Sequence, residues 1–270
     1  MKMIRFFDFA MGTELISLKL NEDPVTINIT NPEAVIDIHK SAIKAGADFL
    51  TTNTFGAYRH KFNNSDDLLK AAFDNINKAG AKNIAFDMGT IGRLLEPYGD
   101  LEKEECLDIF MHFAQTGASL GADIILIETM SDIEEMRLAC TAAKSTGLPV
   151  YATMTFNETG RTFTGAAIKD MVDLLHGFDV QAVGLNCGFG PSSFMPLVKE
   201  LRSLTVLPII VQPNAGMPVF INGEAVYELE PKDFAAQMLE ILNLGADIFG
   251  GCCGTTAEHL KEMVHCLSLA

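Results

Sequence analysis

The stretch LGADIILIET, residues 120–129, joins the expected end of a helix to the start of an apolar strand. Glycine commonly ends a helix because it adopts the left-handed backbone freely. The apolar run after it is typical of a strand covered on both faces, as in parallel sheets. The similar phrases AGAD (45–48) and LGAD (244–247) precede two other apolar runs. One helix-to-strand junction is therefore used repeatedly along the chain.

Short apolar runs alternate with helix-like segments along the whole chain. The runs lie at residues 3–8, 48–55, 83–87, 123–129, 150–156, 182–187, 208–214 and 247–251. One helical segment has Asn31 as its cap, Pro32 at its first position and Gly46 at its end. Another has a capping box of Ser131 and Glu134 and ends at Gly147.

The eight strand–helix units predict an α/β fold, a (β/α)8 TIM barrel in a single domain over residues 1–270. The main alternative is an open doubly wound sheet. That fold usually has a glycine-rich phosphate loop after its first strand. The corresponding stretch here, DFAMGTEL at residues 8–15, has no G-x-G-x-x-G pattern, which favours the barrel.

Composition and charge exclude several classes of function. The net charge of −15 shows no basic footprint for nucleic acid. The longest apolar runs are too short to cross a bilayer. The N-terminus begins like a signal peptide, but Arg5, Asp8 and Glu14 interrupt any apolar core. We expect a cytoplasmic protein that binds neither nucleic acid nor membrane.

The six cysteines divide into two groups. Cys106, Cys140 and Cys266 lie in helix-like segments and are expected to be packing residues or bystanders. Cys187 and the pair Cys252–Cys253 follow the sixth and eighth strands, at the barrel end that carries active sites. Three thiolates at one mouth suit Zn²⁺, Cu(I) or an iron–sulfur cluster, and three protein ligands leave one position of a zinc site open. A strained vicinal disulfide or simple packing is the alternative for the adjacent pair.

Polar residues follow the other predicted strands. They are Asp8, Asn53, Asp87, Glu128, Thr155 and Asn214. Asp8 could equally be a turn residue, Glu128 could cap the next helix, and the two asparagines could tie loops together. These residues are candidates for the lining of the barrel mouth.

Two stretches, GLNC ending at Cys187 and GGCCGTT at residues 250–256, resemble the signatures of the homocysteine S-methyltransferase family. The motifs DFAMGTEL, TTNTFGA, IETMSDIEE, MTFNETGRTFTG and QPNAGMP extend the resemblance over nearly the whole chain. It is most similar to the homocysteine barrel of the cobalamin-dependent methionine synthase branch. The resemblance implies a (β/α)8 barrel that methylates L-homocysteine to methionine.

The resemblance also implies a set of site residues. One Zn²⁺ per chain would be held by Cys187, Cys252 and Cys253, which form the catalytic centre. Asp8 and Glu128 would contact the substrate ammonium group. Backbone groups of Gly12 and Thr13 would contact its carboxylate, and Asn53 would also lie against the substrate. The methyl group would come from a corrinoid supplied by a partner protein or domain.

Two positions depart from the family pattern. Phe9 stands where the family usually has glycine, and a bulky side chain there could narrow the pocket. Thr90 stands where relatives often have proline, in a loop near the mouth. Neither departure touches the three cysteines.

Three other functions remain open. One is a methyltransferase with a different donor, such as S-methylmethionine or betaine. Another is a non-catalytic protein that binds zinc and homocysteine, and the last is a redox protein that uses Cys252 and Cys253 as a dithiol. The chain is expected to be either a stand-alone barrel or a fragment of a longer polypeptide.

Overall fold

The strands and helices alternate as the sequence predicts. The computed structural model describes residues 4–221 and 224–270, so Met3 of the first predicted strand lies outside the described residues. The strands are β1 (Arg5–Phe6), β2 (Leu50–Thr51), β3 (Ile84–Met88), β4 (Ile124–Met130), β5 (Val150–Met154), β6 (Ala182–Asn186), β7 (Ile209–Gln212), β8 (Val219–Ile221), β9 (Glu224–Val226) and β10 (Ile248–Phe249). The helices are α1 (Met11–Ser17), α2 (Ile27–Thr30), α3 (Pro32–Ala45), α4 (Ser65–Ala79), α5 (Lys103–Ser119), α6 (Ile133–Ser145), α7 (Ile168–Gly177), α8 (Pro191–Leu204), α9 (Pro231–Asn243) and α10 (Ala257–Ser268).

Eight parallel strands form one sheet in the order β1-β10-β7-β6-β5-β4-β3-β2. The two end strands of this order meet through backbone bonds, because the amides of Asp48 and Phe49 both donate to the carbonyl of Phe6, at 2.7 and 3.1 Å. The eight helices from α3 to α10 each follow one barrel strand. The predicted (β/α)8 barrel is confirmed.

A residue one or two positions before every second barrel strand has a common role. Its side chain accepts a hydrogen bond from a backbone N–H at the start of the preceding barrel strand. The bonds run from Phe6 N to Asp48 (2.8 Å), from Ile84 N to Asp123 (2.7 Å), from Val150 N to Gln181 (2.7 Å) and from Ile209 N to Asp247 (2.9 Å). The aspartate of each GAD phrase therefore satisfies an amide at the N-terminal end of the barrel.

The core has two layers. A small cluster of residues from alternate strand positions, including Phe7, Leu126 and Ile210, fills the barrel interior. A much larger cluster lies between the strands and the surrounding helices. The polar site therefore has a packed floor beneath it, as in other barrels of this type.

Three local features differ from the sequence prediction. The cap of α6 is Asp132 and not Ser131: the Asp132 carboxylate accepts from the amides of Glu134 and Glu135, at 2.8 and 2.9 Å. The short helices α1 and α2 precede α3, and β8 pairs antiparallel with β9 between β7 and α9. By contrast, α3 begins at Pro32 and is followed by Gly46 as its C-cap, with a φ of 108°, as predicted. Within the described ranges, no helix is long and apolar enough to cross a membrane.

Candidate active site

The eight residues to which the sequence analysis gives a metal-binding or substrate-binding role all line one cavity of about 460 Å³. The cavity lies where the barrel strands end, and it contains residues that follow β1, β2, β6 and β10. The nominated residues are Asp8, Gly12, Thr13, Asn53, Glu128, Cys187, Cys252 and Cys253. Distant parts of the chain are therefore brought together as expected.

Cys187 follows β6 in a backbone conformation that strands do not use. Its φ is 60°, a left-handed value that is uncommon for a residue with a side chain. Its amide donates to the carbonyl of Gln212 on β7, at 3.0 Å. The chain thus leaves the strand at Cys187 and turns its sulfur toward the mouth.

The glycines around Cys252 and Cys253 allow a tight turn. Gly254 has a φ of 80°, and a Cβ there would lie 2.1 Å from the ring of Tyr227. A Cβ on Gly251 would lie 2.3 Å from the Thr255 hydroxyl. Because β10 ends at Phe249, the two cysteines lie outside strand geometry and can face the same point.

The three sulfur atoms converge. The Sγ of Cys253 lies 4.0 Å from that of Cys187 and 3.9 Å from that of Cys252, and all three lie within 4.8 Å of one another. Thiols of Cys187 and Cys252 hydrogen-bond to Cys253 and lower its pKa to about 3, with a further contribution from Tyr227. The cluster could hold one metal ion.

The other cysteines behave as packing residues. Cys106 and Cys140 are buried in α5 and α6, where burial raises the pKa of each thiol to about 12. Cys266 lies in α10, away from the cluster. The division predicted from the sequence is confirmed.

Three carboxylates lie close together in the cavity. Both oxygens of Asp8 accept from Thr51, one from its amide and one from its hydroxyl, each at 2.8 Å. Burial raises the pKa of Asp8 to about 7, and burial with the nearby charge of Asp8 raises that of Glu128 to about 8. The pKa of Asp87 is raised well above its usual range by burial, Glu128 and Asp8. A cationic ligand group would stabilise all three.

A break in the β4 ladder positions Glu128. The pairing of β4 with β5 shifts register between Ile127 and Met130. Thr129, inside this bulge, has a φ of 60°. Asn186 holds it from β6, accepting from the Thr129 amide at 2.9 Å and donating to its hydroxyl at 2.7 Å. Because Asp132 caps α6, the alternative of a capping role for Glu128 is excluded.

The remaining nominated residues are Gly12 and Thr13 on α1 and Asn53 just after β2. Gly12 and Thr13 are in the first turn of α1, where backbone amides have no intrahelical acceptor. The Thr13 hydroxyl accepts from the amide of Gly254, at 3.1 Å, and so joins α1 to the cysteine turn. The Asn53 amide donates to the carbonyl of Pro24, at 2.8 Å, and to Asn28, at 3.2 Å. Asn53 therefore ties a loop in place while it lines the cavity.

The two departures from the family pattern have local structural roles. Phe9 is 5% exposed; it lines the cavity and also joins the large hydrophobic cluster. The Thr90 hydroxyl bonds to both oxygens of the buried Glu135, at 2.8 and 3.0 Å. Both substitutions are accommodated by packing and hydrogen bonding.

Of the other strand-end candidates, Asp87 lines the cavity, whereas Thr155 and Asn214 are not among the described residues that line it. Gln212, which the sequence analysis did not nominate, also lines the cavity. Buried side-chain oxygens of Asp87, Gln212 and Asn214 have no hydrogen-bond partner among the described residues. Tyr227 reaches the cysteine turn from beyond β9, and no pattern in the sequence indicated this contact.

Comparison with solved structures supports the fold. The metallated form of the homocysteine methyltransferase MmuM from Escherichia coli superposes with a TM-score of 0.81 and 22% identity, covering 99% of this chain and 96% of that one. The apo form of the same protein gives a TM-score of 0.77.

Sequence comparison identifies the family. The methionine synthases of Mycobacterium tuberculosis and Mycobacterium leprae are 29% and 28% identical over 95% of this chain. The chain spans about a quarter of their length, 24% in each case. The family model described as homocysteine S-methyltransferase matches residues 5–267. The chain therefore belongs to the homocysteine S-methyltransferase family.

Proposed function

We propose that the chain is a zinc-dependent methyltransferase of the methionine synthase type, which transfers an activated methyl group to the sulfur of L-homocysteine. The observation that carries the proposal is the convergence of three thiols, within 4.8 Å of one another, in a cavity that also contains buried carboxylates. The donor is a methylcorrinoid delivered by a partner protein or domain. Free thiols at the site suit a cytoplasmic location.

The cysteine cluster fits zinc in chemistry and in spacing. Thiolates are preferred zinc ligands, and at a Zn–S distance of about 2.3 Å two tetrahedral ligands lie about 3.8 Å apart. The observed separations of 3.9 and 4.0 Å are close to this spacing. Cys187, Cys252 and Cys253 would hold one ion. When bound, it would supply positive charge that favours the thiolate form of the substrate at an open position.

The protein's own residues would orient the substrate. Asp8 and Glu128 bind the ammonium group, and the first-turn amides of Gly12 and Thr13 bind the carboxylate. Asn53 keeps the neighbouring loop against the cavity. With both ends of the amino acid fixed, the sulfur points to the mouth. A sulfur lone pair forms the new S–CH₃ bond, and the electron pair of the broken bond stays with the donor.

Exposed aromatic side chains on segments that follow barrel strands support a protein-borne donor. Phe163, Phe220 and Tyr98 are 79%, 74% and 70% exposed, on segments that follow β5, β7 and β3. Aromatic residues are enriched where proteins bind one another. A free sulfonium or betaine would instead require aromatic walls inside the cavity. Among the described residues that line the cavity, the aromatic ones are Phe55 and Phe9, and Phe9 also packs into the hydrophobic core.

The test is methionine formation from L-homocysteine by zinc-loaded protein under anaerobic conditions, with methylcobalamin and S-methylmethionine as parallel donors. Turnover with methylcobalamin is expected. Turnover with S-methylmethionine alone would overturn the corrinoid assignment and keep the acceptor. Homocysteine binding without turnover on either donor would favour a binding protein.

A further inference from the structure

We propose that Asp87 is a third carboxylate of the site that binds the substrate ammonium group, together with Asp8 and Glu128. The proposal rests on the proposed function, because it assigns a residue to the recognition of homocysteine. Asp87 is the last residue but one of the buried strand β3, lines the same cavity and is only 4% exposed.

The backbone of Asp87 is fixed by its neighbours, whereas its side chain keeps a free acceptor. The Asp87 amide donates to the Thr52 hydroxyl at 3.0 Å, and the Asp87 carbonyl accepts from the Thr54 hydroxyl at 2.8 Å. The Oδ1 atom of its carboxylate is buried without a hydrogen-bond donor among the described residues. A carboxylate held in this way is ready to accept from a ligand.

The contrast with Asp8 is informative. Thr51 already donates to both oxygens of Asp8, so part of the acceptor capacity of Asp8 is used by the protein itself. Asp87 has the unused buried oxygen. An ammonium group carries three donors and can be shared among carboxylates. Asp87 therefore supplies an acceptor that Asp8 lacks.

Charge balance points to the same ligand group. Among the described residues that line the cavity, Lys61 is the one with a cationic side chain. It pairs with Asp23 at 2.9 Å, and both side chains of this pair are partly exposed. Buried acids that lack a counter-charge are costly, and an unpaired polar group in a native protein commonly marks a functional site. The positive charge that fits here is the substrate ammonium group.

Asp87 should accordingly select amino-acid thiols over thiols that lack the amino group. The experiment measures binding of L-homocysteine and of 4-mercaptobutyrate to the zinc-loaded chain by anaerobic calorimetry. We expect D87N to weaken homocysteine binding at least tenfold and to leave 4-mercaptobutyrate binding within twofold. The matched control is D23N, which removes the carboxylate that pairs with Lys61 and should leave the preference for homocysteine intact.

Thermal unfolding of the ligand-free proteins gives an independent readout. D87N should unfold at a temperature no lower than the wild type, because it removes a buried acid with an unpaired oxygen. If D87N does not fold, D87S serves for the same binding comparison. Equal binding of homocysteine by wild type and variant, or equal losses for both thiols, would overturn the role of Asp87. A wild-type chain that fails to bind homocysteine would instead overturn the proposed function.

Discussion

Cys187 combines an unusual backbone with a place in the cluster of three thiols. A residue with a side chain is uncommon at a φ of 60°, and such conformations persist where the surroundings enforce them. Here the enforcing contacts are the bond from the Cys187 amide to Gln212 and the position directly after Asn186, which is itself tied to Thr129. The left-handed backbone at this one residue places its sulfur atom within reach of the two sulfurs that follow β10, two strands away in the sheet.

The substitution Cys187→Ser should release the metal from the site. A hydroxyl is a poorer zinc ligand than a thiolate, and two thiolates alone give an incomplete set. Metal content after dialysis against a chelator, measured by mass spectrometry, should fall from about one ion per chain in the wild type to well below one in the variant. Cys266→Ser, outside the cluster, is the control and should keep its metal. Full retention by the Cys187 variant would show that the ligand assignment is wrong.

At the scale of elements, Asn186 on β6 supports the bulge in β4. Its side chain bonds to the amide and hydroxyl of Thr129 and accepts from the hydroxyl of Thr153, at 2.9 Å. Asn186→Ala should cost about 1–3 kcal/mol of unfolding free energy, because buried groups lose their partners. It should also weaken homocysteine binding, since Glu128 precedes Thr129.

Urea denaturation and calorimetry on the same samples separate these two effects. Asn186→Asp, which keeps an acceptor for the Thr129 amide, should recover part of the stability. A variant that loses stability but binds homocysteine normally would show that the bulge does not position Glu128.

His39 makes the stability of α3 dependent on pH. It is 1% exposed, neither ring nitrogen has a hydrogen-bond partner among the described residues, and burial lowers its pKa to about 3. The unfolded chain therefore binds a proton near pH 6.5 while the folded chain does not, so stability falls as the pH decreases below 6.5. The loss from this group is about 1.4 kcal/mol per pH unit down to the folded pKa.

His39→Leu should remove that term. Urea denaturation at pH 7 and pH 5 should show the variant gaining about 2 kcal/mol over the wild type on acidification. His265→Gln, at an exposed position of α10, should leave the pH dependence unchanged. Parallel pH profiles for wild type and the His39 variant would contradict the assignment.

At the scale of the whole molecule, alternation of strands and helices was readable because each element has a local signal. Pro32 and Gly46 bound α3 through their own backbone preferences, and the apolar runs mark the strands. The residues of the site were found because parallel strands end at one face.

Contacts between distant segments had no such signal in the sequence. The contacts of Tyr227 with Gly254, of Asn186 with Thr129 and of Thr90 with Glu135 each depend on the assembled barrel. The cap at Asp132 was missed because Ser131 offers an equally good local pattern.

Among the aspartates of the repeated helix-to-strand junction, Asp48 of AGAD should matter most for stability. Asp48 lies where β1 and β2 close the barrel, accepts from the Phe6 amide at 2.8 Å and pairs with Arg5 at 3.4 Å. Asp123 makes the equivalent bond to Ile84, but there β3 and β4 are also aligned over four residue pairs. The closing strands have less backbone pairing to compensate for a lost side chain.

We therefore expect Asp48→Ala to destabilise the protein more than Asp123→Ala. Each substitution leaves a buried or partly buried amide without its acceptor, which costs about 1–3 kcal/mol of unfolding free energy. The loss for Asp48→Ala should lie at the upper end of this range. Asp48→Asn keeps an acceptor and should recover part of the loss. Asp37→Ala, which removes an exposed pair with Lys40, is the control and should cost less than about 1 kcal/mol.

Urea denaturation gives the free energies of unfolding. In Asp48→Ala, amide hydrogen exchange should accelerate more at Phe6 and Phe49 than at Ile84. Equal losses for Asp48 and Asp123 would mean that these aspartates act only as local caps, and that barrel closure depends on packing of the strands against the helices.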